Sequence, residues 1–147
     1  MSSLASSMSS LLILFVLMSG EALACRCEVP PASKAYPSAD AVVVAKALRV
    51  ESKNDQTQVV LLSISQAWKK DLPAQLTIDA GGKVCGFFFK EEQEYVVYLK
   101  SGANAQYSTR NCVGNKYLNN SQLPAHFAES AKRDIAWLKR HGKPAKQ

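Results

Sequence analysis

The sequence predicts a mainly β domain with some α structure, in which five short strands form a closed or nearly closed barrel and a C-terminal helix packs on it. Three observations lead to this fold class. Five β-rich runs are separated by turn residues, the apolar period changes to that of a helix after Leu123, and four cysteines are present. One domain accounts for the chain beyond an N-terminal leader.

The first two strands are predicted at residues 41–50 and 57–68. The first run is rich in Val and Ala, and the second alternates, which is typical of half-buried strands. The alternation predicts that Val60, Leu62, Ile64 and Trp68 share one face. Residues 51–56 are polar and contain Asn54-Asp55, so the two strands are predicted to form a hairpin.

Three shorter strands complete the barrel. They are predicted at residues 75–78, 95–99 and 106–109, with a Ser-Gly-Ala-Asn turn at 101–104 between the last two. Before the first strand, residues 28–37 contain three prolines, which predicts an extended connector without regular structure.

The C-terminal part has helical periodicity. Pro124 predicts the start of the helix, and Gly142 and Pro144 predict its end. An apolar stripe follows one face and consists of Leu123, Phe127, Ala131, Ile135 and Leu138. Asp134 falls within this stripe, where the sequence alone gives it no partner. Residues 141–147 are predicted to be a frayed basic tail.

The first 24 residues have the features of a secretory signal peptide. Residues 11–18 form an apolar run too short to span a bilayer, and Ala22-Leu23-Ala24 fits a signal-peptidase site, although the first ten residues contain no Lys or Arg. We therefore expect a signal peptide at 1–24 and a single domain at 25–147 that begins with Cys25. The expected location is extracellular or periplasmic. A weak lipobox before Cys25 leaves a lipoprotein as the alternative.

Charge and cysteines bound the environment of the mature domain. The chain has 18 Lys and Arg against 12 Asp and Glu, a net charge of +6, which would suit acidic glycans or an acidic surface but is first a matter of solubility. The four cysteines allow three pairings in an oxidising compartment. A bridge from Cys25 to Cys27 would close a very tight ring, so the two are expected to pair separately with Cys85 and Cys112.

Five segments together resemble the netrin-like domain, and within it the N-terminal domain of the tissue inhibitors of metalloproteinases. They are Cys25-Arg26-Cys27, SQAWKK at 65–70, VCG at 84–86, YVVYL at 95–99 and NCVG at 111–114. The resemblance covers about residues 25–140. It implies an OB-fold-like (netrin-like) five-stranded barrel with two disulfides, Cys25 to Cys85 and Cys27 to Cys112.

The resemblance also implies a function, inhibition of zinc metalloproteases. In such inhibitors the α-amine and carbonyl oxygen of the first cysteine chelate the catalytic zinc of the protease, which keeps one coordination position open. Carried over to this sequence, Cys25 is the chelator and Arg26 the side chain aimed at the specificity pocket. Known inhibitors have a small residue where Arg26 stands, so we expect weak inhibition of proteases with deep, apolar pockets.

The same residues allow or exclude several other functions. The alternative to inhibition is a secreted or surface binding module in which the Cys25 bridge is structural. A redox role for Cys25-x-Cys27 is disfavoured, because the motif lacks the surrounding βαβ pattern of redox dithiol proteins. His126 and His141 have no second metal ligand at suitable spacing. No catalytic constellation is visible and no aromatic-basic strand face for nucleic acid, so the sequence predicts a protein that is not an enzyme and has no cofactor and no nucleic acid partner. We expect the protein to be a monomer.

Two local motifs remain open at this point. Phe87-Phe88-Phe89 predicts a core strand, or a loop with one ring exposed as a contact surface. Asn119-Asn120-Ser121 is a glycosylation acceptor motif, meaningful in a eukaryotic host.

Overall fold

Five strands of the domain close into a barrel. The computed structural model describes residues 27–53, 57–82 and 86–147. In chain order the elements are α1 (Ala32–Ser38), β1 (Ala41–Lys53), β2 (Thr57–Trp68), β3 (Gln75–Gly81), β4 (Glu94–Ser101), a 3-10 turn (Ala103–Ala105), β5 (Tyr107–Ser108), β6 (Lys116–Asn119), α2 (Ala125–His141) and β7 (Pro144–Ala145). The strand order β1-β2-β3-β5-β4 returns to β1, which confirms the predicted mainly β barrel with a C-terminal helix.

Strand β1 closes the barrel because it pairs on both edges. It runs antiparallel to β2 along most of its length and antiparallel to β4 from Ala41 to Lys46. On the opposite side, β5 is only two residues long, yet it pairs in parallel with β3 and antiparallel with β4. Strand β6 extends the sheet from β4 outside this circuit. Strand β6, which is short and lies next to the loop that carries Cys112, was not predicted.

Both faces of β1 are buried, which explains its nearly continuous run of Val and Ala. Ala41, Val43 and Ala45 belong to the barrel interior, together with residues such as Leu62 and Val97. The intervening side chains face outward and lie in a second cluster under the two helices, formed by Val42, Val44, Val96, Tyr98, Ala35, Ala131 and Leu138 among others. The helices therefore cover the outer face of β1 and β4.

A bulge in β2 overturns one predicted side-chain face. Val44 pairs with Gln66 and Ala45 with Ile64, so Ser65 is an extra residue in the ladder. An extra residue reverses the alternation beyond it. Val60, Leu62 and Ile64 face the interior as expected, whereas Trp68 lies in the outer cluster against the helices. The prediction of one shared face was therefore wrong for Trp68.

The predicted extended connector at 28–37 was wrong from residue 32 onward, because Ala32–Ser38 forms helix α1. Proline is well tolerated at the start of a helix, and the carbonyl of Pro31 accepts hydrogen bonds from Lys34 N and Ala35 N at 3.0 Å each. Burial of Ala32 and Ala35 holds the helix to the body of the domain. Pro37 falls in the last turn, where the helix ends.

The tail at 141–147, predicted to be frayed, is ordered and pairs with the barrel. Helix α2 continues through His141 and is capped at Gly142, as predicted. After it, Pro144 pairs with Trp68 and Ala145 with Ala67 as strand β7. Lys69 N donates to the Lys143 carbonyl at 2.8 Å, so this pairing reaches past the end of β2. The backbone hydrogen bonds with β2 order this tail, although its basic, proline-containing composition had predicted a frayed end.

Two predicted turns are present, but their boundaries differ from the prediction. Strand β1 extends to Lys53 and pairs with Thr57, so part of the predicted polar turn at 51–56 is strand, and residues 54–56 lie outside the described chain. The turn after β4 is present and includes the 3-10 turn, where Asn104 has φ of 58°.

Candidate functional site

The N-terminal segment is joined to the barrel by a disulfide between Cys27 and Cys112. The two Cα atoms lie 5.6 Å apart, and the bridge spans 85 residues of sequence. This confirms the predicted Cys27–Cys112 pair and is typical of an oxidising, extracellular-like environment. Cys25, Arg26 and Cys85 lie outside the described residues, so the Cys25–Cys85 bridge, the chelating role of Cys25 and the pocket contact of Arg26 stay predictions.

A buried ion pair holds the segment that follows Cys27. Lys116 and Asp134 are 7% and 4% exposed, and Lys116 Nζ lies 2.5 Å from Asp134 Oδ2. Lys116 Nζ also donates to the carbonyl oxygen of Pro30 at 2.9 Å. Asp134 Oδ1 accepts a hydrogen bond from Ala32 N at 3.2 Å. One pair of charges therefore ties the N-terminal segment both to β6 and to α2.

Tyr98 completes this cluster from the sheet. Its hydroxyl donates to Asp134 Oδ2 at 2.8 Å. Burial raises the pKa of Tyr98 well above its usual value, and the negative charge of Asp134 and the hydrogen bond to it raise the pKa further. Tyr98 is therefore a fixed donor at any physiological pH. Its hydroxyl supplies a hydrogen bond to the Asp134 carboxylate and adds no charge to the cluster.

The loop that carries Cys112 is fixed by a second polar network. The side-chain oxygen of Asn115 accepts from Tyr98 N at 2.8 Å, and its amide nitrogen donates to Thr109 Oγ1 at 2.8 Å and to the Arg110 carbonyl at 3.0 Å. Thr109 Oγ1 in turn donates to the carbonyl of Tyr98 at 2.8 Å. The Cys112 side of the bridge is thus attached to β4, whereas the Cys27 side is held by Lys116 on β6 and Asp134 on α2.

Gly114 allows α1 to approach this loop closely. Its φ is +124°, and a Cβ atom there would lie 2.7 Å from Ala35 Cβ and 3.0 Å from the Tyr98 ring. A larger residue would separate α1 from the loop that carries Cys112.

An apolar groove opens beside the N-terminal segment. Its volume is about 340 Å³, and its walls include Val29 from the N-terminal segment, Phe88 from the loop after β3, Tyr117 from β6 and Phe127 from α2. Gly86, directly after Cys85 in sequence, and Asn111, directly before Cys112, line the same groove. The groove therefore adjoins the segments that carry three of the four cysteines.

The Phe87-Phe88-Phe89 run is a loop, so its prediction as a strand was wrong. Phe87 and Phe89 are buried as predicted and pack against each other with ring centroids 5.0 Å apart, while Phe88 is 53% exposed. The loop is held by hydrogen bonds from Phe87 N to the Ala80 carbonyl at 3.3 Å and from Phe89 N to Gln58 Oε1 at 3.2 Å. The alternative expectation, one ring exposed on a loop, describes Phe88.

A second groove runs along α2 on the other side of the N-terminal segment. Its volume is about 500 Å³. Arg133, Trp137 and Arg140 line it from one helix face, and Ser33 lines it from α1. This placement puts two arginines and an aromatic ring beside residues 29–33.

The two histidines, for which the sequence indicated no metal site, are surface residues. His126 and His141 are both exposed, and His126 borders the apolar groove. Within residues 27–53, 57–82 and 86–147, no group of three or more His, Cys, Asp or Glu side chains could hold a metal ion. Asn119 is exposed at the end of β6, where its acceptor motif is accessible.

Sequence reasoning missed the buried cluster, apart from one signal. Asp134 stood out within an apolar helical stripe, and a buried carboxylate needs a partner. That partner, Lys116, lies on a strand that the sequence did not predict, and Tyr98 had the appearance of an ordinary strand residue.

Comparison with models of protein families and with curated protein sequences finds no match for this chain. None of the helices in the described part of the chain combines the length and the apolar character that crossing a bilayer requires.

Proposed function

We propose that the mature protein is a secreted, single-domain relative of the tissue inhibitors of metalloproteinases with an OB-fold-like, netrin-like barrel. It inhibits zinc metalloproteases by placing the α-amine and carbonyl oxygen of Cys25 on the catalytic zinc. The observation that carries the proposal is the Cys27–Cys112 bridge, which fixes the chain two residues after the proposed chelator.

The chemistry of the chelator suits this role. A catalytic zinc has three protein ligands and one open position, which a five-membered chelate ring can occupy. An α-amine has an ordinary pKa of about 7.7 to 8, so its deprotonation near neutral pH is inexpensive. An N-terminus that is already held in place loses little conformational freedom when it binds, and this favours affinity.

The buried Lys116–Asp134 pair also supports the proposed inhibitory role, because it holds the residues that follow Cys27. Lys116 Nζ contacts the carbonyl of Pro30, and Asp134 accepts from Ala32 N, so the segment is held at both ends of a short stretch. With the bridge at Cys27, residues 27–32 form a rigid base for the two residues before them. A segment that served only as a connector between leader and barrel would not need three anchors.

Arg26 sets the range of suitable targets. By the resemblance to the inhibitors, the side chain that directly follows the chelator is the one aimed at the pocket next to the zinc. An unpaired guanidinium in a deep apolar pocket costs several kcal/mol. The targets are therefore proteases whose pocket is acidic or open to solvent.

A blocked N-terminus tests the proposal. The secreted protein should begin at Cys25 with a free amine, as intact mass and N-terminal sequencing would report. It should inhibit at least one member of a small panel of zinc metalloproteases, and acetylation of the amine or one added residue before Cys25 should abolish that inhibition. An unchanged circular dichroism spectrum of the blocked form is the control. Inhibition that survives blocking contradicts chelation by Cys25.

Variants of Arg26 test the pocket contact separately. Arg26→Ser and Arg26→Thr should improve inhibition of proteases with apolar pockets about tenfold or more, because the burial of the guanidinium is removed. The same variants should not improve inhibition of proteases with acidic pockets.

A second candidate, a non-inhibitory binding module, is favoured by the apolar groove, which needs no free amine. Absence of inhibition across the panel by wild type and by both Arg26 variants would select this alternative. The Cys25 bridge would then be structural.

A further inference from the structure

The apolar groove contains an unusual concentration of exposed apolar surface. Among the described residues, the large hydrophobic side chains that are exposed are Val29 at 43%, Phe88 at 53% and Phe127 at 39%. All three line this groove, although they come from three separate segments. Concentrated exposure of this kind is typical of an interaction surface.

The three side chains are held in position before any partner binds. Phe88 lies between Phe87 and Phe89, whose buried rings anchor the loop. Phe127 packs against Tyr117 with ring centroids 6.4 Å apart. Val29 lies between the bridge at Cys27 and the Pro30 carbonyl that Lys116 holds. Preformed aromatic anchors lose little freedom on binding.

The polar groups of the groove indicate a neutral occupant. Lys116 Nζ already contacts Asp134, the Pro30 carbonyl and the Gly114 carbonyl. The side chain of Asn115 already uses its oxygen and its nitrogen within the fold. Lys116 and Asn115 are therefore not available to a charged ligand, and the polar side chains that remain in the lining are Asn111, His126 and Ser130. None of these is an acid, a lysine or an arginine, and the walls between them are apolar, so an apolar side chain fits better.

The position of the groove indicates which molecule supplies that side chain. Val29 follows Cys25 by four residues, which limits the separation of their Cα atoms to about 14 Å. A standard protein interface buries about 800 Å² on each partner, a patch about 16 Å in radius. A protease whose zinc is bound by Cys25 would therefore cover the groove within an interface of ordinary size.

We infer that the apolar groove formed by Val29, Phe88 and Phe127 is a second contact surface for the target protease, and that it accepts an apolar side chain from the rim beside the catalytic cleft. This inference rests on the proposed function. Contacts in the groove would contribute affinity that does not depend on zinc. This contribution matters most for proteases whose pocket does not accommodate Arg26.

Substitution of the exposed rings tests the inference. Phe88→Ser and Phe127→Ser should each raise the inhibition constant for a protease that the wild type inhibits by about tenfold, as truncation of an aromatic anchor does. Phe88→Leu keeps an apolar side chain and should stay within about threefold of wild type. Lys132→Ser, on an exposed face of α2 outside the groove, is the matched control and should leave the inhibition constant unchanged.

Two further measurements separate the possible outcomes. The Phe88→Ser effect should persist in high salt, because an apolar contact is not screened. Thermal unfolding of each variant should match wild type, so that a change in inhibition reports contact and not folding. Equal inhibition by wild type and Phe88→Ser, while amine blocking still abolishes inhibition, overturns the groove contact and leaves the proposed function standing. A wild-type dimer in sedimentation that Phe88→Ser converts to monomer also overturns it, because a second copy would then fill the groove. Absence of wild-type inhibition refutes both proposals.

Discussion

Asp134 shows how a single side chain organises the start of the domain. Its carboxylate receives the amine of Lys116, the hydroxyl of Tyr98 and the backbone amide of Ala32. Three elements that are distant in sequence thereby meet at one acid. A buried ion pair such as Lys116–Asp134 is by itself weak evidence for stability. Removal of one charge is nevertheless strongly destabilising, because the other charge is then buried without a partner.

Asp134→Asn should lower the free energy of unfolding by about 3–5 kcal/mol, because Lys116 would be left buried without its counter-ion. Urea denaturation measures this change. Glu129→Gln, which removes the acid of an exposed pair on the same helix, is the control and should change stability by less than about 1 kcal/mol. Equal effects of Asp134→Asn and Glu129→Gln would contradict this account.

Tyr98 gives the stability a dependence on alkaline pH. Burial and the Asp134 carboxylate raise its pKa in the folded state, while the unfolded chain titrates near 10.0. Above pH 10 the unfolded state therefore loses the proton that the folded state retains, and stability falls by about 1.4 kcal/mol per pH unit for this group. Burial also raises the pKa of Tyr95 and Tyr117, which adds to the slope.

In Tyr98→Phe the decline above pH 10 should be less steep by about 1.4 kcal/mol per pH unit than in wild type, while stability below pH 9 should be lower because the hydrogen bond to Asp134 is lost. Urea titrations at several pH values measure both effects. Parallel curves for the two proteins would show that the tyrosine does not titrate differently in the two states.

At the scale of elements, strands with buried alternating residues were the most predictable. Burial on both faces explains the Val and Ala run of β1, and the 3.6-residue period located α2. Strands β6 and β7 were missed because each is too short for a period, and both form only through tertiary pairing. The bulge at Ser65 was missed for a related reason, since a single extra residue leaves no trace in composition. In the candidate site, the sequence indicated the Cys27–Cys112 bridge, the isolated acid Asp134 and, as an alternative, one exposed ring in the Phe87–Phe89 run. The partners of Asp134 could not be predicted, because they come from other elements of the fold.

The tail makes a prediction about β2. Removal of residues 143–147 should lower the free energy of unfolding by about 1–3 kcal/mol, because Lys69 N and Leu72 N lose their backbone acceptors and Trp68 loses its strand partner. Chemical denaturation of the truncated chain measures the loss. Lys143→Ala combined with Lys146→Ala keeps the backbone bonds and should remain near wild type. A truncation without effect would show that the tail pairing adds no stability.

At the scale of the whole molecule, one covalent link encloses most of the domain. The Cys27–Cys112 bridge closes a loop with a sequence separation of 85 residues that contains α1 and strands β1 to β5. In the chain-entropy model such a loop contributes about 4.5 kcal/mol, because the unfolded chain is restricted. The barrel core contains no cysteine among its described members, so we expect it to pack without the bridge.

Cys27→Ser combined with Cys112→Ser should therefore lower stability by up to about 4.5 kcal/mol and still leave the barrel formed. Guanidinium denaturation gives the first quantity, and the near-ultraviolet circular dichroism of the buried aromatic residues reports the second. Loss of the native spectrum in water would show that the core cannot form without the bridge. A change below 1 kcal/mol would show that the unfolded chain is not restricted by it.

The same bridge determines how the domain responds to mechanical load. When the chain is pulled by its two ends, force passes from residue 27 directly to residue 112 through the sulfur atoms. Of the described elements, those after Cys112, namely β6, α2 and β7, can be drawn out, whereas the barrel strands between Cys27 and Cys112 bear no tension. In single-molecule stretching, the oxidised protein should therefore extend in one short step, and only the reduced protein should release the length of the barrel.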